Sequence, residues 1–377
     1  MKSVGLITEY NPFHNGHLYH ARQSKKLSNA DVTIALMSGQ FVMRGEPAIF
    51  NKFIRAEMAL EGVDLVVELP IIGSLSSSDY FAKYGILLAD YLGIDTISFG
   101  SESANIEALT KIAQDIQQFE TNPKYRAQIN SGKSYPRVLS DHFNQHHILQ
   151  TPNNILGLSY LKAIHNFAPN INAMTIERLG TYHHQSSIDH QTLASGSAIR
   201  HALNSNDTLW KQVVPNHMWH LYEQPQMTKE ALFPYIQYAL ITQSSEDLAQ
   251  IYTINEGLEH RLQSLITKAH DLDSFITLVK TKRYTYTHIQ RALMNIVLNI
   301  HQQDVPTNIK AARILGMTNK GQQYLKYLKA QFPERNYITN ITKKTAPFFT
   351  QEIKATQLYN LCTHSTQNDF NTPVIRK

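Results

Sequence analysis

Along the first two hundred residues, short apolar runs rich in β-branched side chains alternate with stretches of helical spacing. The apolar runs stand at residues 4–8, 32–37, 64–69, 96–100 and 174–178. Several are apolar at nearly every position, the pattern of strands covered on both faces. Helical spacing fills residues 51–60 and 154–166. The alternation predicts an α/β fold built on a doubly wound parallel sheet, Rossmann-like in its winding. Ligands of such sheets bind beyond the carboxyl ends of strands. That rule directs attention to residues 8–17, to Ser38 and Gly39, to residues 100–102 and to Arg178.

Beyond about residue 207 the strand pattern fades. Residues 229–244, 246–266, 287–301 and 319–331 show helical spacing, punctuated by Pro215, Pro225, Pro234, Pro306, Pro333 and Pro347. The expected organisation is a catalytic domain over residues 1–206 and a mainly helical one over 207–377. At 377 residues, two domains are the ordinary expectation.

The densest candidate chemistry is Gly5-Leu6-Ile7-Thr8-Glu9-Tyr10-Asn11-Pro12-Phe13-His14-Asn15-Gly16-His17. A buried strand ends near Thr8, Asn11-Pro12 forces a turn, and a helix opens at His14. The start of a helix directly after a strand offers N–H groups and a positive dipole end to a phosphate. His14 and His17 share one side of that first turn, and Gly16 leaves room for a nucleotide. Two imidazoles can donate to a phosphate as it gains charge. The spacing lacks the His-Glu-x-x-His pattern of a zinc helix, so no protein-held metal is expected there. Lys52 and Arg55, three apart, fit a solvated helix face. Glu9 and Glu102 remain open as magnesium ligands or as exposed carboxylates.

The segment resembles the His-x-Gly-His signature of the nucleotidyltransferase and class I aminoacyl-tRNA synthetase superfamily. That superfamily carries a second, hydroxyl-bearing loop opening a helix after the last strand. Ser195-Gly196-Ser197-Ala198-Ile199-Arg200 stands in that place, with hydroxyls to cap the helix and Arg200 to reach the leaving phosphates. Further segments narrow the resemblance: the stretch from Met37-Ser38-Gly39-Gln40 to Gly45-Glu46-Pro47-Ala48, then Phe99-Gly100-Ser101-Glu102, Pro152-Asn153-Asn154 and Ile176-Glu177-Arg178-Leu179-Gly180. With Arg283-Tyr284-Thr285-Tyr286 and Ala312-Arg313-Ile314-Leu315-Gly316-Met317, they resemble the bacterial tRNA(Met) cytidine acetate ligase family from residue 3 to about 345. The last thirty residues add nothing to the resemblance.

The resemblance implies that acetate is activated with ATP to acetyl-adenylate, and that the acetyl group passes to N4 of the wobble cytidine of elongator tRNA(Met). It implies catalytic roles for His14 and His17. It also implies ATP contacts from Ile7, Thr8, Glu9, Tyr10, Asn11, Pro12, Phe13, His14, Asn15, Gly16, His17, Leu18, Tyr19 and His20. Gly100, Asn153, Arg178, Ser195, Ser197 and Arg200 join that ATP set, and Mg2+ is expected to accompany the nucleotide.

Charge changes the picture for the second half. Residues 280–344 hold 12 basic residues against Asp304 and Glu334, a local +10 in a chain whose formal net charge is +5. Tyrosines interleave the cations, as in proteins that hold single-stranded RNA. Lys282, Arg283 and Arg291 are the candidate tRNA contacts. The one cysteine, Cys362, forms no intrachain disulfide, and no apolar run reaches the roughly 18 residues of a membrane span. The expected setting is cytoplasmic, with no membrane and no obligate protein partner. Two other readings stay open at this level: an adenylyltransferase joining AMP to a small phosphorylated metabolite, and an RNA-binding protein with a vestigial nucleotide site.

Overall fold

The computed structural model describes every residue except 134, 144–146, 179–187 and 189–191. Leu179 and Gly180 of the motif after residue 176 therefore lie outside the described residues. Among the described residues ten strands occur in chain order: β1 (Ser3–Thr8), β2 (Val32–Ser38), β3 (Phe41–Val42), β4 (Glu46–Pro47), β5 (Leu65–Leu69), β6 (Thr96–Ser101), β7 (Asn172–Glu177), β8 (Ala311–Met317), β9 (Asn336–Ile338) and β10 (Ile375–Arg376). β3 and β4 form a small antiparallel hairpin. The others build one eight-stranded sheet in the order β10-β8-β5-β2-β1-β6-β7, with β9 paired to β8. The five early strands of this sheet are parallel to their neighbours, whereas β8 runs antiparallel to β5. The chain winds from β1 outward to β2 and β5, then returns to place β6 and β7 on the other side. β1 and β6 thus flank the switch point at which a ligand crevice opens.

The continuous apolar runs have the cause expected of them. Ile34 and Leu36 enter one hydrophobic core, while Ala35 and Met37 enter a second on the opposite face. Leu65 and Val67 face the first core and Val66 the second, a period-two division between two covered faces. The first core continues without a break into the helical region, through Ile236, Leu262, Phe275 and Leu293.

Three features depart from the sequence expectations. The stretch beyond residue 207 contains strands as well as helices, because β8, β9 and β10 extend the sheet. Gly316 and its apolar neighbours form a buried β8; so short a run next to helical segments carries no periodicity of its own. The expected helix over 246–266 is broken into Ser245–Ala249 and Leu258–Leu265, with Gly257 at φ 81° before the second piece. Lys52 and Arg55 are not on a solvated face, since both are fully buried.

Asn51 caps the helix Lys52–Ala59 by accepting from the amides of Phe53 and Ile54. Lys52 Nζ then lies 2.8 and 2.9 Å from the Glu68 oxygens and 2.8 Å from Asp369 Oδ1. Asp369 comes from the final thirty residues, so that segment supplies a buried counter-ion to the first half of the chain. Tyr359 adds a second tie by donating to the carbonyls of Ala48 and Ile49 at 2.9 and 3.2 Å. Removing one member of a buried ion cluster leaves the others charged without compensation. Asp369→Ala is expected to lower unfolding free energy by about 3 kcal/mol. Guanidinium unfolding followed by circular dichroism measures this, and a change below about 1 kcal/mol would mean that Lys52 finds another partner.

Candidate nucleotide site

β1 delivers the chain to the crevice at Thr8. Tyr10 takes a left-handed backbone, φ 44°, and turns the chain out of the strand. Its ring lies edge-on to Phe13 at 5.0 Å and 4.8 Å from His17. His14 is the N-cap of the helix Asn15–Ser28, with its Nδ1 accepting from the Gly16 amide at 3.0 Å. That acceptor role leaves the ring proton on Nε2. The His14 and His17 rings stack with centroids 3.8 Å apart, and both line the cleft. His17 Nδ1 is buried with no hydrogen-bond partner among the described residues.

The amides at this helix start are engaged, contrary to the expectation that they are free for phosphate. Asn15 N–H donates to Val213 O at 2.9 Å, Gly16 N–H to the His14 ring, and His17 N–H to His14 O. The imidazole cap satisfies one of the donors that an uncapped helix would have left open, and backbone carbonyls take the other two.

Ser195 Oγ accepts from the Ala198 amide and caps the helix Gly196–Asn204. Arg200 Nη1 donates to Asn11 O at 2.7 Å, which joins this helix to the turn after β1. A Cβ at Gly196 would stand 3.1 Å from Asn11 O, so glycine permits the close approach. On the β6–β7 side, Gly100 stands beside Arg178, whose Cγ would lie 3.2 Å from an added Cβ. The result is a cleft of about 450 Å3 with a smaller recess that shares His14, His17, His20, Gly100 and Arg178.

Of the expected ATP contacts, Ile7, Thr8, Glu9, Tyr10, Asn11, Asn153, Ser195, Ser197 and Arg200 line the cleft, and Gly16 and Tyr19 line the recess. Pro12, Phe13, Asn15 and Leu18 do not. Phe13 is fully buried core, Leu18 packs against the same core, and the Asn15 side chain holds Thr192 O at 3.0 Å. Asn153 is tied at the rim, with its side chain donating to Glu102 at 2.6 Å. Glu102 also accepts from the Asn154 amide and thereby caps the helix Pro152–Phe167. Glu9 accepts from Met43 N–H at 2.7 Å, and burial raises its carboxyl above the usual range. Among the described residues no group of three or more His, Cys, Asp or Glu is placed to hold a metal.

The β3–β4 hairpin, not singled out as a contact by sequence, contributes Arg44 and Glu46 to the cleft. The signal available was Gly45 between them, at φ 80°. An added Cβ there would meet Arg291 N at 2.4 Å. Arg291 is accordingly half-buried, and its guanidinium donates to Met43 O at 3.3 Å. It supports the hairpin from behind. Lys282 and Arg283 are exposed, and Arg283 pairs with Glu256.

Burial, reinforced by the positive charge of Arg178, holds His14 at about 3 and His20 at about 4, with His17 also well below the ordinary value. All three are neutral at pH 7. Unfolded histidines titrate near 6.5, so as pH falls the unfolded chain takes up protons first. Stability is complete above about 6.5 and is lost downward, through about 3 for His14. Urea unfolding at pH 7 and pH 5 is expected to show lower stability at pH 5, by up to about 1.4 kcal/mol per pH unit from His14. His14→Asn is expected to make that decline shallower; an unchanged slope would mean that the imidazole is not held neutral.

A family model described as HIGH Nucleotidyl Transferase matches residues 1–372. A protein of Staphylococcus carnosus named tRNA(Met) cytidine acetate ligase is 55% identical over 376 residues, covering 100% of this chain and 98% of that protein. The protein of the same name from Staphylococcus haemolyticus is 56% identical over 375 residues, covering 100% and 99%. Among solved structures, Thermotoga maritima TmcAL in its apo form superposes with a TM-score of 0.88 at 28% identity, covering 100% of this chain and 99% of that one. The form of that protein bound with alpha-thio ATP gives 0.86 at 26% identity with the same coverage.

Proposed function

The chain belongs to the tRNA(Met) cytidine acetate ligase family of HIGH nucleotidyltransferases, and from that premise we propose how its own residues carry out ATP-dependent acetylation of tRNA(Met). The observation that carries the proposal is the Arg200–Asn11 contact, which brings the two phosphate-binding motifs into one cleft at the switch point. The Thermotoga relative bound with alpha-thio ATP supports ATP as its occupant. Acetate oxygen attacks the α-phosphorus, pyrophosphate leaves, and acetyl-adenylate forms. The cytidine N4 then attacks the acetyl carbon, AMP leaves, and N4 loses a proton.

In this reading, charge and proton donation are divided. Arg44, Arg178 and Arg200 meet the phosphate charge, while neutral His14 donates from Nε2 and His17 beside it supplies a second imidazole donor. Such fixed donors act on charge as it develops and need no nucleophile. Since the amides at Asn15–His17 are engaged, the backbone donors for phosphate belong to Gly196 and Ser197, which line the cleft at the head of the second helix. Among the described residues no carboxylate cluster is built to hold a metal, so a magnesium ion accompanying ATP would be held by the nucleotide and water and would supply charge neutralisation on the phosphates. The cytoplasm is where such a substrate is met; among the described residues no helix is long and apolar enough to cross a membrane. The metabolite adenylyltransferase reading is not favoured by the relatives' names.

His17→Ala is expected to slow acetate-dependent pyrophosphate release by about two to three orders of magnitude, with a smaller change in ATP affinity. An unchanged single-turnover rate would remove the imidazole pair from the mechanism. Omitting acetate separates this reaction from simple ATP hydrolysis, and adding tRNA reports the transfer step.

RNA binding is expected to fall steeply with salt. Nine of the twelve cations between residues 280 and 344 are exposed; Arg291, Arg313 and Arg335 are not. With several of them on phosphates, log K against log salt should have a slope of at least about −3, at roughly −0.7 per phosphate. Lys282→Ala should flatten it by about one unit and weaken every tRNA alike. A flat slope would make the basic residues a solubilising surface only.

A further inference from the structure

We propose that a second cavity, beyond the carboxyl end of β5, receives one unstacked base of the substrate RNA, of the kind that carries an amino group beside a ring acceptor, as cytosine and adenine do. This rests on the reading of the chain as a tRNA-modifying enzyme and adds a contact separate from the nucleotide cleft. The cavity holds about 480 Å3, ample for a nucleoside.

Its floor carries an unmet donor. Arg313 is 2% exposed and lines the cavity; one of its nitrogens donates to Thr339 O, while Nε lies 3.9 Å from Asp369 Oδ1, too far for a hydrogen bond, and has no hydrogen-bond partner among the described residues. A buried N–H without an acceptor is costly, and a ring nitrogen or carbonyl of a ligand would remove that cost. Glu352 lines the same cavity and is anchored by the Ile71 amide at 3.0 Å. Burial and the nearby Glu68 push its carboxyl up to about 7. Glu68 is committed to Lys52, and Asp304 accepts from the His301 amide and the Gln351 side chain, which leaves Glu352 as the acceptor for an exocyclic amino group. Three carboxyl groups in the wall, those of Glu68, Asp304 and Glu352, argue against an anionic metabolite.

The mouth has the other parts of a base site. Phe348 lines it while 43% exposed, a flat surface on which a base stacks. Lys310 lines it too, and Lys343 and Lys344 immediately precede this wall in the chain, all three exposed and available to flanking phosphates. Position agrees. Glu68 is the penultimate residue of β5, a strand two spacings from β1, about 10 Å along the sheet edge that opens into the nucleotide cleft. An RNA loop presenting its acceptor cytidine to that cleft extends its neighbours along this edge.

The test uses the full-length protein and anticodon stem-loop RNAs in which each loop base is removed singly. One abasic position, other than the acceptor cytidine, is expected to weaken binding about tenfold, and Phe348→Ala is expected to weaken the intact RNA by a similar factor. Combined, the two should cost no more than either alone. Glu352→Ala should reduce the preference for cytosine or adenine over uracil at that position. Acetate-dependent pyrophosphate release should stay unchanged in both variants, which also reports that they are folded. The proposal is overturned if both variants bind intact RNA as tightly as the unmodified protein, or if every abasic RNA loses the same factor with and without Phe348. The ligase reading is judged apart from this, by acetate-dependent pyrophosphate release from the unmodified protein.

Discussion

Arg55 is fully buried, and its guanidinium is satisfied by backbone carbonyls instead of a carboxylate. Nε donates to Phe50 O at 2.9 Å, one terminal nitrogen to Glu9 O at 2.6 Å, and both terminal nitrogens to Ser38 O at 3.1 Å. The second of these also reaches Gly39 O. Glu9 follows the end of β1, and Ser38 and Gly39 stand at the end of β2, the two strands that deliver the cleft's first wall. Burial pushes the guanidinium down to about 10, so it still carries its charge at neutral pH. A rigid planar fork can hold several carbonyls at fixed angles, which a lysine ammonium cannot. One turn earlier, Lys52 ties the same helix to Glu68 and Asp369. The nucleotide cleft is therefore shaped from behind by cations that line neither it nor its recess.

Much of this arrangement was legible in the sequence, because strands buried on both faces leave a continuous apolar signature and strand ends dictate where ligands go. The same logic located Gly100 and Arg178 without any contact information. What sequence pattern missed were positions where a charge is inside the protein. Lys52 and Arg55 have the spacing of a wet helix face, and only the distant Asp369, Glu68 and the strand-end carbonyls turn that face inward. The cap of the first helix was missed for a related reason. A histidine looks like a catalytic group before it looks like a cap, yet His14 Nδ1 accepts the amide that a phosphate was expected to take. β8 was hidden because a short apolar strand next to helical segments has no period to announce it.

Neutral histidines and charged arginines in one cleft follow from the same burial. Burial first, then Arg178 and, for His14, Arg200, make protonation of the nearby imidazoles unfavourable, which keeps these uncharged at neutral pH, as the proposed donor role requires. A cationic imidazole would bind ground-state triphosphate more tightly. A neutral one discriminates better, because its hydrogen bond strengthens only as charge accumulates on the reacting phosphate.

The distribution of positive charge bears on how RNA approaches. The helix Asn319–Gln331 crosses the amino edge of the sheet: the Thr318 amide before it reaches Asp64 O, and Tyr324 contacts Ser3 and the Leu92 and Gly93 carbonyls. Lys320, Lys326 and Lys329 are exposed on that helix, on the side away from the nucleotide cleft. β2 has seven residues, so the two edges are separated by roughly 20 Å. At physiological salt the Debye length is about 8 Å, and an exposed charge more than two such lengths away is largely screened from the cleft. The local excess of positive charge is thus not a single footprint. Under the proposed function, cations near the cleft edge and on the helical region are the ones placed to touch phosphates during catalysis, whereas those on the amino edge are left to solubility and the first encounter. A count of basic residues along the chain overstates the contact set for this reason, and it is the sheet's orientation that separates the two groups.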